Sequence, residues 1–245
     1  MSQEVRSLRF VTEAAVIVVS ILLAFGVDAW WDGRLEREEE RLVLERLHDE
    51  FAADLDQLVL KQSGHIGVRD AALGLLATTG RTSDSFEVED VANQLFVVSA
   101  NPTFDPASGA LSSLIASGQL SLVSDRALRS QLAAWPGTVA DLVDQERANQ
   151  VQGHERLLPY LETRTSWRWV MSEATSELTH QAVDPLDFDV GVHPVDVQSL
   201  LLEREFEGIL VSRLRLLSAI LPKYEDAIAM ARDIIADVKT ELQSM

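Results

Sequence analysis

The chain has 245 residues, 47% of them apolar, and 39 acidic against 21 basic side chains for a formal net charge of −18. The length accommodates one large domain or two small ones, and the apolar share is that of a globular protein. Such acidity repels phosphate backbones, which sets nucleic acid aside as a partner and holds the body off anionic lipid beyond any anchor. The absence of cysteine removes disulfides, zinc–thiolate sites, iron–sulfur clusters and cysteine nucleophiles together.

The first feature along the chain is an uncharged run from Ala14 to Val27, bracketed by Glu13 and Asp28, with Ser20 its one polar side chain. Fourteen helical residues rise roughly 21 Å, short of a hydrocarbon core of about 30 Å. Phe10, Val11 and Thr12 before the run and Ala29, Trp30 and Trp31 after it extend the segment to 10–31, leaving 1–9 as a tail. Trp30 and Trp31 suit the membrane interface, where amphipathic rings collect. The alternatives are a cleaved signal peptide, with Arg6 and Arg9 as its basic start and Val27-Asp28-Ala29 as its cleavage site, and a buried core helix. The anchor is favoured because charged, helix-favouring sequence resumes at Arg34 with only Gly33 as punctuation, as a helix leaving a membrane would. Basic residues flank both sides (Arg6 and Arg9; Arg34, Arg37 and Arg41), so the positive-inside rule does not decide orientation. A short tail before an uncleaved anchor stays cytoplasmic, which places the body in the periplasm and the anchor in the inner (cytoplasmic) membrane.

Residues 32–245 are expected to form an acidic helical bundle. From Arg34 to Gln62, Leu44, Leu47, Phe51, Leu55 and Leu58 form a stripe on one helix face, led by Leu35 and Leu42 a heptad apart. Glu36, Glu38, Glu39 and Glu40 with Arg37 and Arg41 form its solvated side. A coiled-coil stalk and the first helix of a bundle both fit this stripe, and its shortness favours the bundle. Gly64 and Gly67 loosen the chain before a second helix over 68–78. Gly80 to Ser85 is a loop, and a short helix covers 88–99. Asn101-Pro102 and Asp105-Pro106 are turn dipeptides. A helix over 108–117 stops at Gly118, which suits a left-handed position. Ser124 or Asp125 caps the next helix, which Pro136-Gly137 kinks or splits before helix resumes over 138–162. Residues 163–194 lack a steady period and read as a long connection with a short helix near 172–180. Helices over 197–221 and 224–242 close the chain, with a boundary at Pro222 and a face of Leu217, Leu221, Tyr224, Ile228, Ala231, Ile235, Val238 and Leu242. Strand alternation is almost absent, so the class is all-α: an N-terminal transmembrane helix continuing into a helical bundle.

Two blocks carry a family likeness. Glu13, then Ser20-Ile21-Leu22-Leu23-Ala24-Phe25, then Asp28 and Trp30 form the first. Leu114, Ser117-Gly118, Leu120, Asp125 and Leu128 form the second, and the tail from Glu205-Phe206 through Tyr224 to Ile234-Ile235 adds to it. In these the chain resembles a family of bacterial single-pass membrane proteins of unknown function. Ser20 stands where that family usually has glycine, and Asp28 where it has asparagine. The resemblance implies an anchored helical protein and no particular chemistry.

Catalytic signatures are weak. Glu45-x-x-His48 and Glu177-x-x-His180 have the spacing of di-iron carboxylate helices. The first pair lies on a highly charged helix and the second in the irregular segment, and 39 acids with five histidines yield such pairs by chance. His65, His154 and His193 are isolated and read as surface or cap residues. No phosphate-binding glycine loop, HExxH or GxSxG occurs. No catalytic, cofactor or metal residue is therefore assigned. The functional candidates lie in the anchor. Glu13 and Asp28 are acids at its ends, Ser20 and Ala24 form a small-x-x-x-small pair for helix association, and Trp30 and Trp31 are interface aromatics. Trp167 and Trp169 fit buried packing or, as the alternative, a pocket lining or a docking contact with a membrane or partner, and packing is favoured. The expected function is a non-enzymatic, membrane-anchored interaction or scaffold protein of the bacterial envelope, assembling as a homo-oligomer or with a membrane partner through the anchor. A tethered enzyme or metal-binding bundle using Glu45, His48, Glu177 and His180 is one alternative; an accessory subunit of a larger membrane complex is the other.

Overall fold

A computed structural model describes the backbone of residues 2–81, 86–107, 109–173 and 195–245, and the side chains of 19–81, 86–107, 109–171 and 195–245. Every regular element among these residues is helical. In chain order they are α1 (Ser2–Thr78), α2 (Val88–Val98), α3 (Ala110–Ala116), a 3-10 turn (Gln119–Leu122), α4 (Arg126–Gln152), a π turn (Gly153–Leu157), α5 (Leu158–Arg164), α6 (Trp167–Glu173), α7 (Val197–Leu202) and α8 (Arg204–Ser244).

Helix α1 corrects the expected break at Gly64 and Gly67, because it runs unbroken to Thr78. Gly64 serves close approach rather than flexibility. A Cβ at that position would stand 2.9 Å from the Pro102 ring. Neither proline ends its helix: α4 continues through Pro136 and α8 through Pro222, against the expected split and boundary. A proline frees the carbonyl four residues earlier. Behind Pro222 that carbonyl belongs to the exposed Ser218, within reach of water, and behind Pro136 it belongs to the buried Leu132. Two local expectations hold. Gly118 is left-handed, with φ of 71°, and Asp125 Oδ1 accepts from the Leu128 N–H at 2.6 Å to cap α4. A short helix spans Trp167–Glu173; the short helix expected near 172–180 falls on residues 174–194 for nearly all its length, and these lie outside the described residues.

The chain divides into two compact units: Met1–Glu50, Ser108–Ser130 and Ile235–Met245 form one, and Phe51–Ala107 and Gln131–Ile234 form the other. The first has a small core of Leu44, Leu47, Leu111, Leu114, Val123, Leu128 and Val238, all at most 5% exposed. Leu35 and Leu42 stand outside it at 51% and 46% exposure, so the heptad lead is not core. Glu40, expected on the solvated side, is instead buried. Its carboxylate accepts from the Ser124 N–H at 2.5 Å and from the Ser124 hydroxyl at 2.9 Å. Glu50 does the same for the start of α3, accepting from the N–H groups of Ala110 and Leu111. Both acids supply what a helix start or turn needs, an acceptor for orphan N–H groups.

The second unit holds the larger core. Phe51 meets Trp135 edge-on at 5.0 Å between ring centroids, and Tyr160 stacks on Phe206 at 6.0 Å. Helix α2 packs against α6. The unit's share of the C-terminal helix buries Leu217, Tyr224, Ile228 and Ala231, as the period predicts, but Ile234 is sealed where Ile235 was expected.

Candidate functional site

Two groups of residues stand out: the first stretch of α1, and a buried polar lattice in the second unit. The lattice surrounds an irregular segment, 99–107, whose backbone cannot satisfy itself through a helix. Side chains from three helices do so instead. From α1, Gln57 Oε1 accepts from the Asp105 N–H and Asp54 Oδ1 accepts from the Ala107 N–H at 2.7 Å. From α4, Glu146 Oε1 accepts from the Phe104 N–H at 2.9 Å. From α8, Arg213 donates through Nη2 to the Ala100 carbonyl at 2.6 Å and to Asn101 Oδ1 at 2.9 Å. Its Nη1 reaches the Asn149 carbonyl at 2.8 Å. Arg213 is fully buried, and its hydrogen-bond partners are neutral oxygens rather than carboxylates. The π turn contributes Gly153, where a Cβ would sit 2.5 Å from Asn101 Oδ1 and 3.1 Å from Arg213 Nη1. That position requires glycine's missing side chain for close approach.

Glu146 also accepts a short hydrogen bond from the Tyr224 hydroxyl. Burial raises the Glu146 carboxyl above its ordinary range, opposed by the bonds from Tyr224 and Phe104. Burial raises the Tyr224 phenol as well, with Glu146 adding to the effect. His65 packs against the Tyr224 ring at 5.2 Å. Burial first, and then the Arg213 charge, hold its pKa down at about 4. The Pro102 backbone opposes that shift without closing a full hydrogen bond to either ring nitrogen. The lattice therefore favours a neutral imidazole beside a buried guanidinium held to about 10 by desolvation.

The sequence did not reveal this lattice, and it read His65 as a surface or cap residue. The structure corrects that: His65 is completely buried. A signal was present. Asp54 and His65 fall in register with Leu58, Glu146 lies one turn past Leu142, and Arg213 stands between Ile209 and Leu217. A polar residue at an apolar-stripe position is the mark of a buried, hydrogen-bonded group. The surface grooves at 162–167, 34–45 and 43–119 include none of these lattice side chains.

The anchor candidates form the other group. Ser20, Ala24, Asp28, Trp30 and Trp31 stand on the exposed surface of α1, and the two indole rings lie 6.3 Å apart. The side chain of Glu13 lies outside the described residues. Val19, Ile21, Leu22, Leu23, Phe25 and Val27 are between 50% and 68% exposed. Among the described residues no helix is long and apolar enough to cross a membrane, and the side chains of residues 14–18 of the uncharged run are outside that set. Glu45 is held by Arg41 at 3.1 Å, His48 sits beside Asp49 at 3.3 Å, and Glu177 and His180 lie outside the described residues. His154 is exposed and meets Asn101 at 3.3 Å; His193 is outside the described residues. Trp167 and Trp169 are half-buried. Comparison with protein-family models, with curated proteins and with solved structures yields no match.

Proposed function

We propose that the chain is a single-pass inner-membrane protein of the bacterial envelope, in which α1 leaves the bilayer and carries an acidic helical body that acts by interaction rather than catalysis. One observation carries this reading. A run of large apolar side chains from Val19 to Val27 stands exposed on α1, which continues without a break into the buried stripe at Leu44 and Leu47. Exposed apolar surface of that extent needs a cover, and lipid covers a helix whose backbone is already satisfied. The resemblance to the bacterial single-pass family supports the same architecture. The polar lattice supports the non-enzymatic reading, because its acids and its arginine are spent on holding segment 99–107.

Orientation and assembly are tested together in cells. A C-terminal alkaline phosphatase fusion is expected to be active, since that reporter folds only outside the cytoplasm. The detergent-extracted chain is expected to migrate above monomer size on a native gel, and Glu13→Leu with Asp28→Leu to shift it down. An inactive fusion overturns the periplasmic placement, and an unchanged band overturns assembly through the anchor acids.

A further inference from the structure

We infer that Arg34 and Arg37 form a docking face for the phosphates of anionic lipid headgroups, an inference that rests on the anchor reading above. With Arg41 they recur at i, i+3 and i+7, which places the three arginines on one face of α1. They line a shallow groove of about 310 Å³ with Glu38, Glu45 and Leu242. At 3.6 residues per turn, Asp32, Glu36 and Glu39 project to the opposite side. Glu40 is turned inward and occupied by Ser124. Glu45 is engaged by Arg41. Arg34 and Arg37 are exposed and form no ion pair among the described residues. Of the acids in this stretch, Glu38 and Glu45 share the groove with the arginines, while Asp32, Glu36, Glu39 and Glu40 do not face it, which leaves Arg34 and Arg37 exposed beside a single unengaged acid, Glu38.

Position along the helix selects the partner. At about 1.5 Å per residue, Arg34 lies roughly 4.5 Å beyond Trp31 and Arg37 roughly 9 Å beyond it. A headgroup layer extends about 5–7 Å past the hydrocarbon boundary that exposed tryptophans mark. Helical side chains lean toward the helix N-terminus, so these arginines tilt back toward the membrane, and their long stems extend that reach. A guanidinium fork matches a phosphate in charge and in geometry. This refines the expectation that an acidic body is held off anionic lipid. The repulsion belongs to the body as a whole, and Arg34 and Arg37 offer a local exception to it at the interface.

The test uses the full chain in vesicles of phosphatidylcholine alone and of phosphatidylcholine mixed with phosphatidylglycerol. Flotation is scored first. The intact protein and an Arg34→Gln/Arg37→Gln variant are both expected to float with either vesicle. Native mass spectrometry of protein released from the mixed vesicles then gives the ratio of retained phosphatidylglycerol to phosphatidylcholine. That ratio is expected to fall about fivefold for each arginine removed. Arg46→Gln lies well beyond a Debye length of about 8 Å from the interface and is expected to leave it unchanged. Flotation of both proteins with an unchanged ratio overturns the headgroup assignment alone. Failure of the intact protein to float on any vesicle overturns the anchor reading, and the headgroup assignment with it. Displacement of phosphatidylglycerol by added inorganic phosphate overturns the lipid assignment in favour of a free-phosphate site.

Discussion

Leu22, Leu23 and Phe25 stand 64–68% exposed on α1, whereas Leu44, Leu47, Phe51 and Leu58 on the same helix are sealed from solvent. Both stretches are apolar and both are helical, so neither hydrophobicity nor helix propensity separates them. Spacing does. The second stretch places its large residues three and four apart and leaves charged residues on the other faces, which is what a helix with a core on one side requires. The first is apolar all round, which is what a helix surrounded by lipid requires. A second contrast lies within the buried region. Its apolar residues pack as a stripe, but Asp54, His65, Glu146 and Arg213 interrupt that stripe to hold a segment of irregular backbone.

The sharpest way to break the contrast is truncation. Phe51→Ala removes a ring packed on Trp135 and is expected to cost about 3–5 kcal/mol in chemical denaturation of the body. Leu22→Ala is expected to change the same measurement by less than about 0.5 kcal/mol. Equal losses would mean that the exposed stretch is part of the folded body.

The pH dependence of stability probes the lattice. His65 has a folded pKa of about 4 against an ordinary 6.5. The unfolded chain therefore binds the extra proton in that window, and stability contributed by the neutral imidazole is lost as pH falls from about 6.5 toward 4. The expected loss is about 2 kcal/mol between pH of about 7.5 and about 5. Glu146 acts with the opposite sign. Its raised folded pKa contributes stability that is present at low pH and lost as pH rises through that value. Urea unfolding of the native chain and of His65→Phe at both pH values isolates the histidine, and the variant is expected to lose less stability than the native chain on acidification. Identical slopes would contradict a neutral, desolvated His65.

An effect of similar size is expected at the π turn. Gly153→Ala presses a methyl group against Asn101 Oδ1 and Arg213 Nη1, and is expected to cost about 1–3 kcal/mol in the same unfolding assay. A neutral outcome would mean that the lattice has room to yield.

Much of the fold was legible from period alone. The helical class, the left-handed Gly118, the Asp125 cap and four of the five stripe residues from Leu44 to Leu58 follow from spacing and capping chemistry; Leu55 is only half-buried. What misled was reading glycine and proline as punctuation. Gly64 marks a close approach to Pro102, and Pro136 and Pro222 are exposed positions inside helices that continue past them. The lattice was not legible because its reason lies elsewhere in the chain. Arg213 and Glu146 are buried because segment 99–107 needs donors and acceptors; their apolar-stripe positions signal burial, but nothing local to either residue names the segment it serves. The anchor candidates rest on the opposite kind of signal, a continuous apolar run that is visible without any tertiary context.

The central claim is that the exposed apolar stretch of α1 sits in a bilayer. Alkaline carbonate extraction of membranes from cells making the full chain tests it most directly. The intact protein is predicted to stay with the membrane pellet, and Leu22→Arg with Leu23→Arg to release it, since each arginine at a helix centre costs about 2.5–3.5 kcal/mol of insertion. Recovery of intact, folded protein in the carbonate supernatant would contradict the account.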